Sequence, residues 1–133
     1  MVNPRKIYPI DSGLIPVFDR SGRANLGHAL ETCVLLELEW RGAEIAYVRM
    51  RDGFEVDFLA RYSDGRQELI QVCADLDSPT TRERETRALL EAASEYSQAT
   101  LHLIALEPEM PRELPKGVTA HSAAAWLLAD LTA

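Results

Sequence analysis

The sequence is short of cysteine, of positive charge, of long apolar runs and of glycine-rich loops, and each shortage removes a class of protein. Its two cysteines, Cys33 and Cys73, lie far apart inside apolar stretches. That excludes a disulfide framework and a paired metal-ligand spacing, so both read as reduced thiols. Lysine and arginine total 14 against 21 aspartates and glutamates, a formal charge of -7. A protein whose whole surface grips a phosphate backbone is excluded, although a local basic patch is compatible with an acidic total. No run approaches the ~20 apolar residues of a membrane span. The start, Met1 to Tyr8, carries Arg5 and Lys6 but no apolar segment of signal-peptide length, so a cytoplasmic location and no membrane partner are expected. There is neither a Walker-type phosphate loop nor a dinucleotide fingerprint, so this chain by itself should not bind ATP. No Ser-His-Asp arrangement has a recognisable local context. The histidines His28, His102 and His121 are dispersed, without a ligand partner at helical or hairpin spacing, and are assigned no chemistry.

What remains is 133 residues, 47% hydrophobic and 26% charged, enough for one domain with a core of its own. Residues 1–24 read as a lead-in: Lys6 to Leu14 is a short extended segment that stops at Asp11-Ser12-Gly13, because Pro9 disfavours helix. Residues 25–133 read as the core. A helix is expected to begin near Leu26, capped by Asn25 and closed by Gly42. Its apolar residues Leu26, Leu30, Cys33, Val34, Leu35, Leu36 and Leu38 spread over more than one face, as in a helix packed between a sheet and other elements.

Three strands follow, over Glu44 to Met50, Phe54 to Ala60 and Glu68 to Ala74, with turns at Arg51-Asp52-Gly53 and Ser63-Asp64-Gly65. If Ser63 to Gly65 form a three-residue loop with Gly65 left-handed, Tyr62 pairs with Arg66 and Asp57 falls opposite Gln71. A two-residue loop would set Asp57 opposite Val72, so the turn decides whether two polar side chains share a face. Ser78-Pro79 opens a second helix, with serine as cap and proline in the first turn. A strand over Thr100 to Leu106, the loop Pro108 to Pro115, an extended piece at Gly117 to Ala120 and a last helix capped by Ser122 complete the chain.

Hydrolysis of a phosphodiester at a site of this kind needs hard oxygen donors to hold Mg²⁺ and a cationic side chain to position or activate the attacking water. Asp57 is the best donor, and Gln71 could add its side-chain carbonyl. Glu31 has Val34, Leu35 and Leu38 three, four and seven residues on, so it faces partly apolar surroundings where an acid needs a partner. That makes it a candidate third ligand. Each residue also has a plainer reading. Gln71 could satisfy a backbone group, and Cys73 could be a small buried hydrophobe. Arg82, Arg84 and Arg87 alternate with Glu83, Glu85 and Glu91, which reads first as a salt-bridged helix face and second as a phosphate contact.

Asp57 followed by Gln71-Val72-Cys73 resembles the PD-(D/E)XK nuclease site with cysteine at the lysine position. Over nearly the whole chain, Lys6-Ile7-Tyr8, Asp11-Ser12-Gly13-Leu14, Asn25-Leu26-Gly27, Glu31, Leu36-Glu37-Leu38, Arg41-Gly42, Gly53-Phe54-Glu55-Val56-Asp57-Phe58, Leu69-Ile70-Gln71-Val72, Thr81-Arg82-Glu83-Arg84-Glu85 and Trp126-Leu127-Leu128 resemble the C-terminal uncharacterised domain of a family of prokaryotic AAA+ ATPases. The resemblance implies an α/β, restriction-endonuclease-like core of helix, three-stranded antiparallel meander, helix and strand, with an additional C-terminal helix. It also implies that the ATPase motor is absent from this chain and that an AAA+ ATPase or another protein is its partner. Residue by residue, Glu31 matches the helix acid, Asp57 the strand aspartate, Gln71 the acidic or amide position and Cys73 the lysine position. Arg49, Arg51 and Arg61 are near enough in sequence to replace the lysine. The expected function is a degenerate nuclease-like accessory domain acting in protein or DNA interaction without efficient catalysis. The alternatives are an active Mg-dependent DNA nuclease using Glu31, Asp57 and Gln71, and an oligomerisation module, the last expected if the first helix or the Leu101 to Leu106 strand is exposed.

Overall fold

A computed structural model describes residues 2–3, 23–106 and 113–129. The extended segment Lys6 to Leu14 lies outside the described residues, as does most of the proline-rich loop. The elements run β1 (Val2–Asn3), α1 (Arg23–Trp40), β2 (Glu44–Arg49), β3 (Glu55–Arg61), β4 (Gln67–Cys73), α2 (Pro79–Ala93), β5 (Thr100–Ala105), β6 (Val118–Ser122) and α3 (Ala123–Leu128). The strands form one mixed sheet in chain order, antiparallel from β1 to β4 and parallel from β4 to β6.

Helix α1 begins earlier than expected. Arg23 and Ala24 are good helix formers and extend it, so Asn25 lies within the first turn and is not the cap. Its end follows the expectation: Gly42 is left-handed at φ +83, its N–H donates to Glu39 and that of Ala43 to Leu38, a Schellman closure. Leu30, Val34, Leu35 and Leu38 are buried, whereas Leu26 is exposed and Trp40 is 86% exposed. Helix α2 starts as expected, with Pro79 in its first turn and the Ser78 hydroxyl accepting from the Thr81 amide. Ser122 caps α3 in the same way through the Ala125 amide.

Two cores flank the sheet. On one side Ala88, Leu89 and Ala92 of α2 pack on Val48, Val56, Leu59, Leu69, Leu101 and Leu103. On the other, Leu30, Val34, Leu35 and Leu38 of α1 and Trp126 of α3 pack on Ile45, Phe58, Ala60, Ile70 and Ile104. The strand β6, where only a short extended piece was expected, covers the flank of β5. The strand up to Ala105 is therefore internal to the sheet, with Leu103, Ile104 and Ala105 without exposed surface, whereas Leu106 just beyond it is exposed. That removes one of the two conditions on which the oligomerisation reading rests; on the other, the first helix exposes Trp40 and Leu26 near its ends. Among the described residues no helix is long and apolar enough to cross a membrane.

The hairpin between β3 and β4 has the expected register. Gly65 is left-handed at φ +93, its amide donates to Tyr62, and the Tyr62 amide donates to Arg66. The ladder runs from Arg61 with Gln67 to Phe58 with Ile70, and one step further Asp57 comes opposite Gln71. On the other flank of β3, Ala46 faces Leu59 and Val48 faces Val56, so Tyr47 alone opposes Asp57 and Phe58. This is a β-bulge centred on Asp57. Its effect is visible in the packing: Val56 and Phe58, two residues apart, enter cores on opposite sides of the sheet.

Candidate functional site

The bulge on one side of β3 coincides with a parting of β3 from β4 on the other. Beyond Phe58 and Ile70 the two strands are joined by side chains. Gln71 Oε1 accepts from the Asp57 amide at 2.8 Å, Gln71 Nε2 donates to the Glu55 carbonyl at 3.0 Å, and Asp57 Oδ2 accepts from the Val72 amide at 2.8 Å. Backbone polar groups that would go unpaired as the strands separate are satisfied in this way. Gln71 is 3% exposed, so its amide also meets the requirement that a buried polar group be bonded.

The parting opens a groove of about 1070 Å³ at the end of β4. Gly27, His28 and Glu31 of α1 form one wall, and Ser78, Thr81, Arg84 and Glu85 from the start of α2 form the other. Asp57, Gln71, Val72 and Cys73 lie between them, with Asp52, Glu55 and Asp75 at the rim strands and loops. Glu31, Asp57, Gln71 and Cys73 all line this one groove. Glu85, Asp75 and Arg84 were not anticipated there. The short connection from Cys73 to Ser78 is the signal that could have found them, because the first turns of α2 must then overhang the end of β4.

The charge of the groove is one-sided. Among the described residues that line it, Glu31, Asp52, Glu55, Asp57, Asp75 and Glu85 face one arginine, Arg84, together with His28. Arg84 Nη2 lies 3.2 Å from Glu85 Oε1. Burial pushes the Glu85 carboxyl upward, against the lowering effect of Arg84, and the nearby Glu31 pushes it the same way. Burial likewise raises the Cys73 thiol, whose Sγ donates to the Asp75 carbonyl at 3.0 Å, and the charges of Glu85 and Asp75 add to the effect. Cys73 is therefore a protonated thiol, packed at the edge of the α2-side core. It is neither a thiolate nucleophile nor a substitute for an ammonium group.

None of the arginines proposed to replace the lysine lines the groove. Arg49 pairs with Glu55 at 3.1 Å on the exposed surface, Arg51 is exposed in its turn, and Arg61 has a buried Nε at the far end of β3. The salt-bridged reading of α2 is also only partly right. Arg82 donates to the Leu76 and Asp77 carbonyls and so fastens the loop before the helix, while Arg87 lies 5.4 Å from the centre of the Phe54 ring.

The donor set fits the implied Mg²⁺ incompletely. Glu31 and Asp57 supply hard carboxylate oxygens to the same groove, but the Gln71 oxygen is directed at the Asp57 amide and its nitrogen at the Glu55 carbonyl. Rotating the Gln71 carbonyl toward an ion would break both of these hydrogen bonds, at ~1–3 kcal/mol each. Among the described residues, no group of three histidine, cysteine, aspartate or glutamate side chains is placed to hold an ion together.

A second polar cluster, which sequence spacing did not reveal, lies toward the opposite ends of β4 and β5. The Tyr62 hydroxyl donates to Glu68 Oε1 at 2.6 Å, Glu68 Oε2 is 3.3 Å from His102 Nε2, and His102 Nδ1 is 2.9 Å from His121 Nε2. His102 and His121 are thus not isolated. The parallel pairing of β5 with β6 brings them together, and no hairpin or helix spacing could have shown it.

No protein-family model, no curated protein and no solved structure matches this chain. The chain is a mixed α/β domain with helices on both faces of the sheet.

Proposed function

We propose that this chain is a degenerate restriction-endonuclease-like domain, an accessory module that contacts a protein partner of an AAA+ ATPase system and does not hydrolyse phosphodiesters efficiently. The observation that carries the reading is the double engagement of Gln71, whose amide oxygen and nitrogen both serve the backbone of β3. The amide position is there a structural splice, and the lysine position holds a neutral thiol. Loss of one catalytic group removes ~10²–10⁴-fold of rate, so a site with a thiol at the lysine position and its amide oxygen engaged by the backbone is nearly silent. The carboxylates around the groove repel a phosphate backbone, which favours a protein partner over DNA there.

A second reading, an active Mg-dependent DNA nuclease, has one observation in its favour: Glu31 and Asp57 line the same groove. Calorimetric titration of Mg²⁺ and Mn²⁺ into the purified chain, beside Asp57→Asn, separates the two. The accessory reading expects no saturable heat at millimolar metal. Saturable binding in the wild type that is lost in Asp57→Asn would overturn it.

A further inference from the structure

We propose that the contact between His102 and His121 is an acid-released latch that holds β6 and the α3 helix it leads into against β5. The inference starts from hydrogen counting. A 2.9 Å contact between two ring nitrogens needs one N–H and one lone pair. The outer nitrogen of His102, Nε2, lies 3.3 Å from Glu68 Oε2 and 2.7 Å from the Thr100 hydroxyl oxygen. A carboxylate there favours His102 carrying its proton on Nε2, which leaves Nδ1 to accept from the Nε2–H of His121. A first added proton goes to His121 Nδ1 and leaves the contact intact. A second has only His102 Nδ1 to occupy, and two N–H groups would then face each other. The closed pair therefore holds at most one extra proton, and the doubly charged pair must separate.

The surroundings bear on which way protonation acts. Glu68 of β4 is the anion next to His102, and it is shared with the Tyr62 hydroxyl. The Arg66 guanidinium lies 4.6 Å from the centre of the Tyr62 ring. On α1, Arg41 is engaged by Glu37 and by the Trp126 carbonyl, and α3 carries no charged side chain. The rings stack with centroids 5.1 Å apart. Burial lowers both histidines, and for His102 it outweighs the raising effect of Glu68. The folded state then binds fewer protons than the unfolded one. Its stability is full above the ordinary histidine value of about 6.5 and falls as pH drops through and below it.

The mechanical consequence follows from connectivity. His121 sits in β6, next to Ser122, the residue that caps α3. Separation of the rings loosens β6 from β5 and bares an edge of a strand whose Leu103, Ile104 and Ala105 are buried when the latch is closed.

The test is a pH titration of the full chain from 7 to 5 with ¹⁵N-labelled histidine, paired with hydrogen exchange at the Thr119 and His121 amides. The expected result is two coupled steps at His102 and His121, with at least one below 6.5. The β6 amides should lose about tenfold or more of their protection, after correction for intrinsic exchange. A His121→Gln variant, whose amide can still donate to His102 Nδ1, should lose that pH dependence, and His28→Gln should keep it. Unchanged β6 protection down to pH 5, independent titration of the two rings at or above 6.5, or a pH dependence that persists in His121→Gln would each overturn the latch. The wild-type titration decides the matter even if the variant does not fold.

Discussion

Asp57 and Gln71 hold β3 and β4 together by exchanging backbone for side chain: each accepts a hydrogen bond from a main-chain amide of the opposite strand, at 2.8 Å in both cases. Both side chains thereby act as part of the sheet. Most of the expected behaviour of the site follows from that exchange.

Replacing Gln71 with leucine keeps the volume and removes both partners. The Asp57 amide and the Glu55 carbonyl then lose their Gln71 partner, and a loss of about 2–4 kcal/mol is expected in urea unfolding. Asp57→Asn retains an oxygen for the Val72 amide and should cost less than ~1 kcal/mol. Asp57→Ala would leave that amide unpaired, so the asparagine variant is the sounder control for loss of charge.

Gly65 sets the register that brings the two residues opposite each other. Its φ of +93 favours glycine, and the space around it is open, so the strain of a substitution is conformational. Gly65→Ala should cost ~1–2 kcal/mol in the same unfolding measurement, with the fold retained.

Cys73 should react slowly. In a Cys33→Ser background, alkylation at pH 8 is expected to be about tenfold or more slower for the folded chain than for the urea-unfolded one, because burial and the charges of Glu85 and Asp75 raise the thiol. Equal rates would show a thiol more open and more acidic than its contacts imply.

Glu85 is the groove's strained carboxylate. Its folded value is raised, so the stability it permits is full below its unfolded value near 4.5 and is lost as pH rises through the folded value. Glu85→Gln should therefore stabilise the chain at pH 7, and the gain should shrink as pH falls toward 4.5. Thermal unfolding of both proteins across that window checks the sign.

Local signals carried much of this structure. Ser78-Pro79 marked the start of α2, Gly42 the end of α1, and the glycine at the end of Ser63-Asp64-Gly65 the loop that fixes the hairpin register. The bulge was not legible, because Phe54, Val56 and Phe58 alternate like residues of one face. Only pairing with β2 shows that an extra residue turns Phe58 to the other side. The strand β6 was legible only as a short extended piece at Gly117 to Ala120, because Val118 to Ser122 has little apolar pattern of its own and its pairing with β5 is long-range. The same long-range pairing hid the histidine contact. Glu31, Asp57, Gln71 and Cys73 were singled out from spacing and from the resemblance, but which of them are engaged by the backbone is a property of how the strands part, and no one-dimensional pattern contains it.

The most direct test of the proposed loss of catalysis is cleavage. Labelled single- and double-stranded DNA should be incubated with the purified chain and 10-fold excess protein, in Mg²⁺ and in Mn²⁺, beside Asp57→Asn. The expected result is no protein-dependent product in either metal. Product that forms with the wild type and disappears with Asp57→Asn would contradict the assignment and make this groove a working nuclease despite Cys73.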